Sequence, residues 1–231
     1  MAEARYSRVV VKISGSLVYP PRPDYLSRLT GVLLSLRDHA RLAVVVGGGG
    51  ISREYINAGA RLGLNKGMQD LLGIHASRLN ARILAYALQP FASPRIPEAL
   101  EEAITLFDMG LIPVLGGLQP GQSTNAVALS LAEAVNADIV VNLLRGINGV
   151  YDRPPNEEGA RLLRRITLCT LENIIHHHRQ EPGRYELLDH TALQIAKRSK
   201  TPILFTNGED PEILAKIILE GEQPGTLVEP C

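Results

Sequence analysis

Two glycine-rich turns and one lysine are the groups in this sequence whose types and spacing could bind a phosphorylated ligand. The first turn, residues 47–50, is four consecutive glycines between a run of three valines and an amphipathic helix. Residues without a Cβ let the backbone approach a bulky group and offer it N–H donors. A helix N-terminus adds free N–H groups and a partial positive charge. Strand, glycine turn and helix together predict a phosphate-binding turn.

Lys12 and Arg53 are the cationic candidates near this turn. Lys12 lies at the exit of a β-branched strand, next to Ser14-Gly15-Ser16, where it could neutralise phosphate oxygens. Arg53 follows the glycines by three residues and could make a forked contact with a phosphate. The alternatives are a lysine whose head reaches solvent and an exposed ion pair of small energetic weight. Together with two glycine turns, phosphate binding is favoured.

The second glycine turn spans residues 116–124 and runs into a helix predicted for 125–135. Ser123 or Thr124 there is the expected helix N-cap, which accounts for one hydroxyl but not for the Gln-Pro-Gly-Gln that precedes it. The segment suits an anionic ligand with a polar ring beside it. Asp70 is predicted to cap a long helix, and its carboxylate could also accept hydrogen bonds from ribose hydroxyls.

Other catalytic motifs are excluded by their spacing. Residues 47–50 form neither a Walker A loop nor a GxGxxG fingerprint. The three consecutive histidines at 176–178 point about 100° apart on a helix, so they cannot face one metal ion. No HExxH, nucleophile elbow or Ser/His/Asp order is visible. The sequence therefore predicts no metal site built by the protein itself.

Alternating strands and helices must position these groups. Strands are predicted at residues 8–13, 42–46, 112–115, 138–143, 164–168, 203–206 and 226–228, and helices at 24–37, 52–62, 70–88, 98–109, 125–135, 171–178, 189–198 and 211–219. Residues 146–159 are expected to form an extended loop or hairpin. This order predicts an α/β fold with a mainly parallel sheet covered on both faces. Ligands of such sheets bind beyond the carboxyl ends of the strands, where both glycine turns and Lys12 lie.

Three helices show apolar stripes that are expected to face the core. The stripes are Leu26, Leu29, Leu33 and Leu36 in the first helix, Ile51, Tyr55, Ala58 and Leu62 in the second, and Leu72, Leu79, Ile83 and Tyr86 in the third. No repeat or linker divides the 231 residues, so one domain is expected, with an N-terminal lobe of about 1–135 and a C-terminal lobe of about 136–231.

The composition is that of an ordinary soluble globular protein, 45% hydrophobic and 21% charged. Lys plus Arg equal Asp plus Glu, 24 against 24, so no global charge indicates nucleic acid or a membrane surface. No secretory signal or membrane-spanning run is visible. Cys169 and Cys231 lie far apart without a CxxC, which predicts free thiols and a cytoplasmic location.

The combined motifs resemble the amino-acid kinase superfamily, and within it the archaeal UMP kinases. They are Lys12-Ile13-Ser14-Gly15-Ser16, residues 46–55, Asp70-Leu71-Leu72-Gly73-Ile74, Ser77-Arg78-Leu79-Asn80-Ala81 and residues 116–124. Tyr185-Glu186-Leu187-Leu188-Asp189 and the closing residues 221–230 resemble the crenarchaeal branch. The resemblance implies a three-layer αβα sandwich, ATP-dependent phosphorylation of UMP to UDP for pyrimidine nucleotide synthesis, and a homohexamer built as a trimer of dimers. It implies UMP and ATP as ligands, with Mg²⁺ entering on ATP, and neither nucleic acid nor a membrane as a partner.

The resemblance also assigns residues to the two nucleotides. Lys12 and Arg53 are expected to be catalytic. The residues that match the ATP contacts are Lys12, Gly15, Ser16, Gly49, Arg53 and Tyr151. Those that match the UMP contacts are Gly48, Asp70, Leu118, Gln119, Pro120, Gly121, Gln122, Ser123 and Thr124.

The donor side departs from the family pattern. Where the family has Thr-Asn-Val-Asp-Gly-Val-Tyr-x-x-Asp-Pro, this chain has Arg145-Gly146-Ile147-Asn148-Gly149-Val150-Tyr151-Asp152-Arg153-Pro154-Pro155. Tyr151 matches, but the Thr, the Asn and both Asp are replaced. Arg145 or Arg153 could bind the triphosphate instead, and Asp152 could replace the lost acid. An alternative hypothesis is therefore a catalytically weak homologue that binds UMP, UTP or another anion for regulation or storage. A third is a kinase of acetylglutamate or isopentenyl phosphate; no histidine adjoins the first glycine turn, which disfavours the isopentenyl phosphate kinase.

Overall fold

The computed structural model describes residues 4–178 and 187–231. The strands are β1 Arg8–Ile13, β2 Arg41–Val46, β3 Val114–Leu115, β4 Ile139–Leu144, β5 Val150–Tyr151, β6 Leu162–Leu163, β7 Arg165–Thr167, β8 Ile203–Asn207 and β9 Thr226–Glu229. The helices are α1 Gly15–Val18, α2 Pro23–Leu36, α3 Gly49–Arg61, α4 Lys66–Ala87, α5 Leu100–Asp108, α6 Thr124–Ala134, α7 Leu168–His178, α8 His190–Ser199 and α9 Ile213–Ala215, which continues as a π-helical turn, Lys216–Glu220. Tyr185 and Glu186 of the crenarchaeal-like motif lie outside the described residues.

Seven strands form one sheet in the order β3-β2-β1-β4-β8-β9-β7. All neighbouring pairs are parallel except β8 with β9. β5 and β6 form a separate antiparallel pair, so the extended loop or hairpin expected over residues 146–159 is a hairpin whose second strand lies beyond that range. The central strands are buried on both faces, as parallel strands between helical layers must be. Val9, Val10 and Val11, for example, are fully buried although successive side chains point to opposite faces.

Helices cover both faces of this sheet, and each side has its own hydrophobic core. Val9, Val11 and Ile13 of β1 belong to the core that α2, α4 and α9 cover. Val10 belongs to the opposite core, which α5, α6, α7 and α8 cover. The predicted three-layer αβα sandwich with a mainly parallel sheet is confirmed. The predicted stripe of α2 is also confirmed, because all four of its leucines are buried.

The predicted core faces of α3 and α4 are wrong. Tyr55 and Leu62 are 56% and 79% exposed, and Leu79, Ile83 and Tyr86 are 42–57% exposed. The part of α4 that packs on the sheet side is another stripe, consisting of Ala81, Leu84, Ala85 and Leu88. The large apolar side chains form an exposed surface, here called the α3–α4 face, which comprises Tyr55, Leu62, Met68, Leu71, Leu79, Ile83 and Tyr86.

The expectation of free thiols is also wrong. Cys169, in the first turn of α7, forms a disulfide with Cys231, and their Cα atoms are 5.9 Å apart. Their sequence separation of 62 does not reveal this pairing, because the distance along the chain says nothing about where a fold places two side chains. Among the described residues, no helix combines the length and the apolar character needed to cross a membrane.

Candidate active site

A pocket of about 520 Å³ lies beyond the carboxyl ends of β2 and β3. Its walls are the two glycine turns, α4 and the N-terminus of α8. Seven of the nine predicted UMP residues line it, namely Gly48, Asp70, Gln119, Gly121, Gln122, Ser123 and Thr124. Leu118 and Pro120 belong to the same turn without lining the pocket. Predicted acceptor residues as far apart in sequence as Gly48 and Thr124 are therefore brought together.

The first glycine turn packs directly on the turn that follows β1. A Cβ on Gly15 would lie 2.3 Å from the carbonyl oxygen of Gly47, and one on Gly49 would lie 2.5 Å from the backbone of Gly15. Gly49 also has a positive φ of 64°, which glycine adopts without a steric penalty. Glycine is thus required here by contact between two backbone turns as well as by any ligand. The chain enters α3 at Gly49, where the first N–H groups of a helix lack partners within it.

Asn80 fixes the outer side of this turn. Its Nδ2 donates to the carbonyl oxygens of Gly47 and Gly48, both at 3.0 Å, and the side chain is buried. The Gly47 N–H in turn donates to the Ile13 carbonyl at 2.9 Å, so the start of the turn is held by both α4 and β1. Asn80 lies in the motif that carries the family resemblance, but its sequence position alone does not reveal this contact.

The second glycine turn is held by three residues of α4. Ser77 accepts a hydrogen bond from the Gly117 N–H at 2.8 Å, and Arg78 Nε donates to the Gly117 carbonyl at 3.0 Å. Arg78 is itself paired with Glu98 at 2.8 Å. Asp70 accepts a hydrogen bond from the Gly121 N–H at 2.9 Å. The rigid helix therefore sets the position of the turn.

The predicted role of Asp70 as a helix cap is wrong. The N-cap of α4 is Asn65, whose side chain accepts a hydrogen bond from the Met68 N–H at 3.0 Å. Asp70 lies one turn further along, where its carboxylate faces the pocket and the second glycine turn. That position frees its second oxygen for a ligand.

Two helix N-termini meet beside the pocket. Ser123 caps α6 by accepting from the Ala126 N–H at 3.1 Å, and its hydroxyl donates to Asp189. Asp189 caps α8 by accepting from the Ala192 N–H at 3.0 Å. The sequence predicted a cap at Ser123 or Thr124 and a helix that begins at residue 189, but not the contact between the two caps. His190 and Thr191, which also line the pocket, were not predicted as site residues because only the fold brings α8 to α6.

Lys12 lies at the end of β1 but is buried, with 8% of its surface exposed. Burial lowers the pKa of its ammonium group from 10.5 to about 8, because a charged group loses its hydration there. It lines a smaller cavity with Asn125 and Asn142 rather than the main pocket. The main pocket is also not lined by the other predicted ATP residues, which are Gly15, Ser16, Gly49, Arg53 and Tyr151.

The other predicted donor residues lie on three elements, α1, α3 and β5. The hydroxyls of Ser14 and Ser16 are 2.9 Å apart, at the start of α1. Arg53 is exposed on α3 and forms no ion pair within the part of the chain that the structure describes. Tyr151 is half-buried in the β5–β6 hairpin.

The altered donor segment has its own internal contacts. Arg145 donates to the Ser16 carbonyl at 2.9 Å and lies 4.0 Å from a carboxylate oxygen of Glu209. Asp152 accepts from the Arg161 N–H at 2.9 Å, a contact that holds the pKa of its carboxyl below the usual range, and it lies 3.5 Å from Arg153. Asp152 and Arg153 therefore support the hairpin, whereas Arg145 reaches the turn next to Lys12.

Fold and site together define a class of protein, an αβα sandwich with two glycine turns and a cation at one end of its parallel strands. The profile of the amino acid kinase family matches residues 7–207. The chain is 50% identical to a uridylate kinase of Aeropyrum pernix, over 96% of this chain and 98% of that protein. It is 45% identical to the uridylate kinase of Hyperthermus butylicus, over 95% and 97%. The crystal structure of a uridylate kinase from Archaeoglobus fulgidus matches with a TM-score of 0.85 and 32% identity, over 95% of this chain and 99% of that one.

The chain therefore belongs to the amino acid kinase family, and within it to the group of archaeal uridylate kinases.

Proposed function

We propose that this protein transfers the γ-phosphate of Mg-ATP to UMP and releases UDP and ADP. The observation that carries the proposal is the pocket at the strand ends, where seven residues of the UMP-binding pattern converge. Relatives that are 45–50% identical over nearly the whole chain are named uridylate kinases.

The main pocket is the proposed UMP site. Gly48, Asp70 and residues 118–124 would hold UMP, with the second glycine turn and the N-terminus of α6 near its phosphate. Asp70 already accepts a hydrogen bond from Gly121, so its carboxylate would link the turn to the ribose. A carboxylate has capacity for both contacts.

The proposed donor site adjoins it along β1. Lys12, Gly15, Ser16, Gly49 and Arg53 would contact the ATP phosphates, and Tyr151 the nucleoside part. A phosphate oxygen of UMP attacks the γ-phosphorus in line, and the bond from that phosphorus to the β,γ-bridging oxygen breaks, so ADP leaves with the electron pair. The attacking oxygen is already anionic and needs no general base. The protein supplies positioning and charge neutralisation.

Mg²⁺ would enter with ATP and would offset the charge of the transferred phosphates. Mg²⁺ usually keeps several waters and takes one or two carboxylates in addition to phosphates. The donor side fits this need through Glu209, a half-exposed carboxylate next to Arg145 and the turn after β1.

Residues 1–135 and 136–231 are proposed as the acceptor and donor lobes of one domain. We also propose a homohexamer assembled from dimers, and the α3–α4 face supports this because its amphipathic stripes are unburied in the single chain. A cytoplasmic location is compatible with the disulfide, since intracellular proteins of hyperthermophilic archaea are a known exception to the rarity of cytosolic disulfides.

A coupled assay tests the function directly. Purified protein with Mg²⁺ and ATP is offered UMP, CMP, dUMP, acetylglutamate and isopentenyl phosphate in turn, with and without EDTA. We expect UDP formation from UMP at ordinary kinase rates of about 1–100 s⁻¹, abolished by EDTA. Tight UMP binding without turnover would instead support the regulatory homologue, and turnover of another acceptor would refute the assignment.

A further inference from the structure

The buried amide of Asn142, next to Lys12, belongs to neither the proposed UMP site nor the proposed ATP site. Asn142 is 2% exposed and lies on β4, directly across the strand pair from Lys12 on β1. Its Oδ1 has no hydrogen-bond partner among the described residues. A buried acceptor without a partner is destabilising, so such a group usually serves a purpose.

Two neighbouring contacts fix the orientation of this amide. Asn125 donates through Nδ2 to the Leu187 carbonyl at 2.8 Å, and a carbonyl can only accept. Asn125 must therefore present its Oδ1 to Asn142, which donates to it through Nδ2 at 3.3 Å. The amide oxygen of Asn142 is thereby the atom left over.

Lys12 has the complementary deficit. Its ammonium carries three donors and no acceptor, and it forms no hydrogen bond or ion pair with the residues that the structure describes. Asn142 and Lys12 line the same small cavity. The other walls come from α6 (Asn125, Ala128, Leu129), β4 (Val140), β8 (Ile203) and Leu188 before α8, none of which is titratable or charged. Burial alone therefore governs the ionisation of Lys12 in this environment.

We propose that Oδ1 of Asn142 accepts one N–H of the Lys12 ammonium and so positions it for phosphoryl transfer. Lys12 and Asn142 are paired across β1 and β4, and neighbouring strands lie only about 4.8 Å apart. A change of the Lys12 rotamer therefore brings its ammonium to Oδ1 while the amide keeps its orientation. Two N–H groups remain for phosphate oxygens. Asn142 is a positioning residue that acts through Lys12. The inference rests on the proposed function, but its central contact can be measured without substrate.

The test compares Asn142→Leu, which removes the acceptor at similar volume, with Asn142→Asp, which strengthens it. The chain has only five lysines, so the Nζ signal of Lys12 can be assigned in labelled protein from its absence in Lys12→Arg. We expect the pKa of Lys12 to fall by about one pH unit in Asn142→Leu and to rise by about one in Asn142→Asp, which is a tenfold change each way. Thr30→Val is the matched control, because it removes a buried hydroxyl from α2, on the opposite face of the sheet.

The kinetic part of the test separates positioning from folding. Asn142→Leu should lower kcat about tenfold at neutral pH with KM for UMP within about twofold, and the alkaline limb of its pH–rate profile should move down with the lysine pKa. Asn142→Asp should move that limb up. A lysine pKa equal to wild type in both variants would overturn the proposal, even in a protein with full activity. An inactive wild type with the expected pKa changes would refute the kinase assignment and leave the contact standing.

Discussion

Lys12 is the residue on which most of the proposed chemistry depends. We expect Lys12→Ala to abolish measurable turnover, a loss of at least about 10³-fold, because no other buried cation stands at the end of β1 in the described structure. UMP affinity, measured by calorimetry, should stay within about threefold, since Lys12 does not line the UMP pocket. Lys216→Ala, an exposed lysine on the π-helical turn, is the control. Equal losses of turnover and UMP binding would contradict this role.

The same burial predicts an unusual pH dependence of stability. The pKa of Lys12 is 10.5 when exposed and about 8 when folded, so the unfolded chain binds more protons between these values. The ammonium therefore destabilises the fold below pH 8, and this penalty disappears as pH rises toward 10.5. Lys12→Met should raise the free energy of unfolding at pH 7 by about 3 kcal/mol. Urea unfolding at pH 7 and pH 10 checks the sign, because the gain must shrink at the higher pH.

Some residues of the site can be predicted from the sequence, and others cannot. A lysine at the exit of an apolar strand is visible in the sequence, and its burial at a strand end follows from the parallel sheet. The glycines are also predicted from the sequence as ligand-binding residues. Their second role, the close backbone contact between Gly15 and Gly49, becomes visible only in three dimensions. The contacts of Asn80, on α4, and of Asn142, on β4, could not be predicted, because their partners lie on other elements that only the fold brings close.

At the scale of elements, the contact between Ser123 and Asp189 joins α6 to α8 beside the proposed acceptor pocket. Each residue also caps its own helix. We expect Ser123→Ala and Asp189→Ala each to lose about 1 kcal/mol of stability through the cap and to raise KM for UMP. In a double-mutant cycle, the double variant should show a smaller loss of stability, and a smaller rise in KM, than the sum of the two single variants. Additive losses in KM would show that the two caps act independently.

Element boundaries were predicted within a few residues where the sequence carried a strong cap or a β-branched run. Asp189 is such a case, and the predicted start of α8 is confirmed. The start of α4 was placed one turn late because Gly67, in its first turn, obscured the cap at Asn65. The short helix α1 was missed altogether, since four residues are too few for a period to show.

At the scale of the whole molecule, the α3–α4 face accounts for the failed prediction of two core stripes. The apolar periodicity of α3 and α4 is amphipathic, as the sequence indicates, but no part of the described chain covers the apolar side chains. If the face is the proposed dimer interface, the pair Leu79→Glu and Ile83→Lys should lower the mass seen by light scattering to that of smaller species. The matched control is Thr105→Glu with Met109→Lys, which makes the same charge changes at the same spacing on exposed positions in α5 and at its C-cap, on the opposite face of the sheet, and should leave the assembly intact. Unchanged mass in the first variant would place the interface elsewhere.

The disulfide between Cys169 and Cys231 closes a loop that contains most of the C-terminal third of the protein. The loop-closure model gives about 4 kcal/mol for 62 residues, and measured values are commonly 2–4 kcal/mol. The lower part of that range is expected here, because β7 already pairs with β9 at the two ends of the loop.

A loss of about 2–3 kcal/mol corresponds to a fall in Tm of about 4–12 °C for a chain of this size. Calorimetry with and without reductant measures this fall. The double variant Cys169→Ser/Cys231→Ser should have the Tm of the reduced protein, and reductant should not change that Tm. The loop includes α8, whose N-terminus borders the proposed UMP pocket, but neither the first glycine turn nor Lys12, so reduction should weaken the α8 side of that pocket first. UMP turnover at moderate temperature should then persist, whereas equal Tm values for the oxidised, reduced and serine forms would show that the bond does not stabilise the fold.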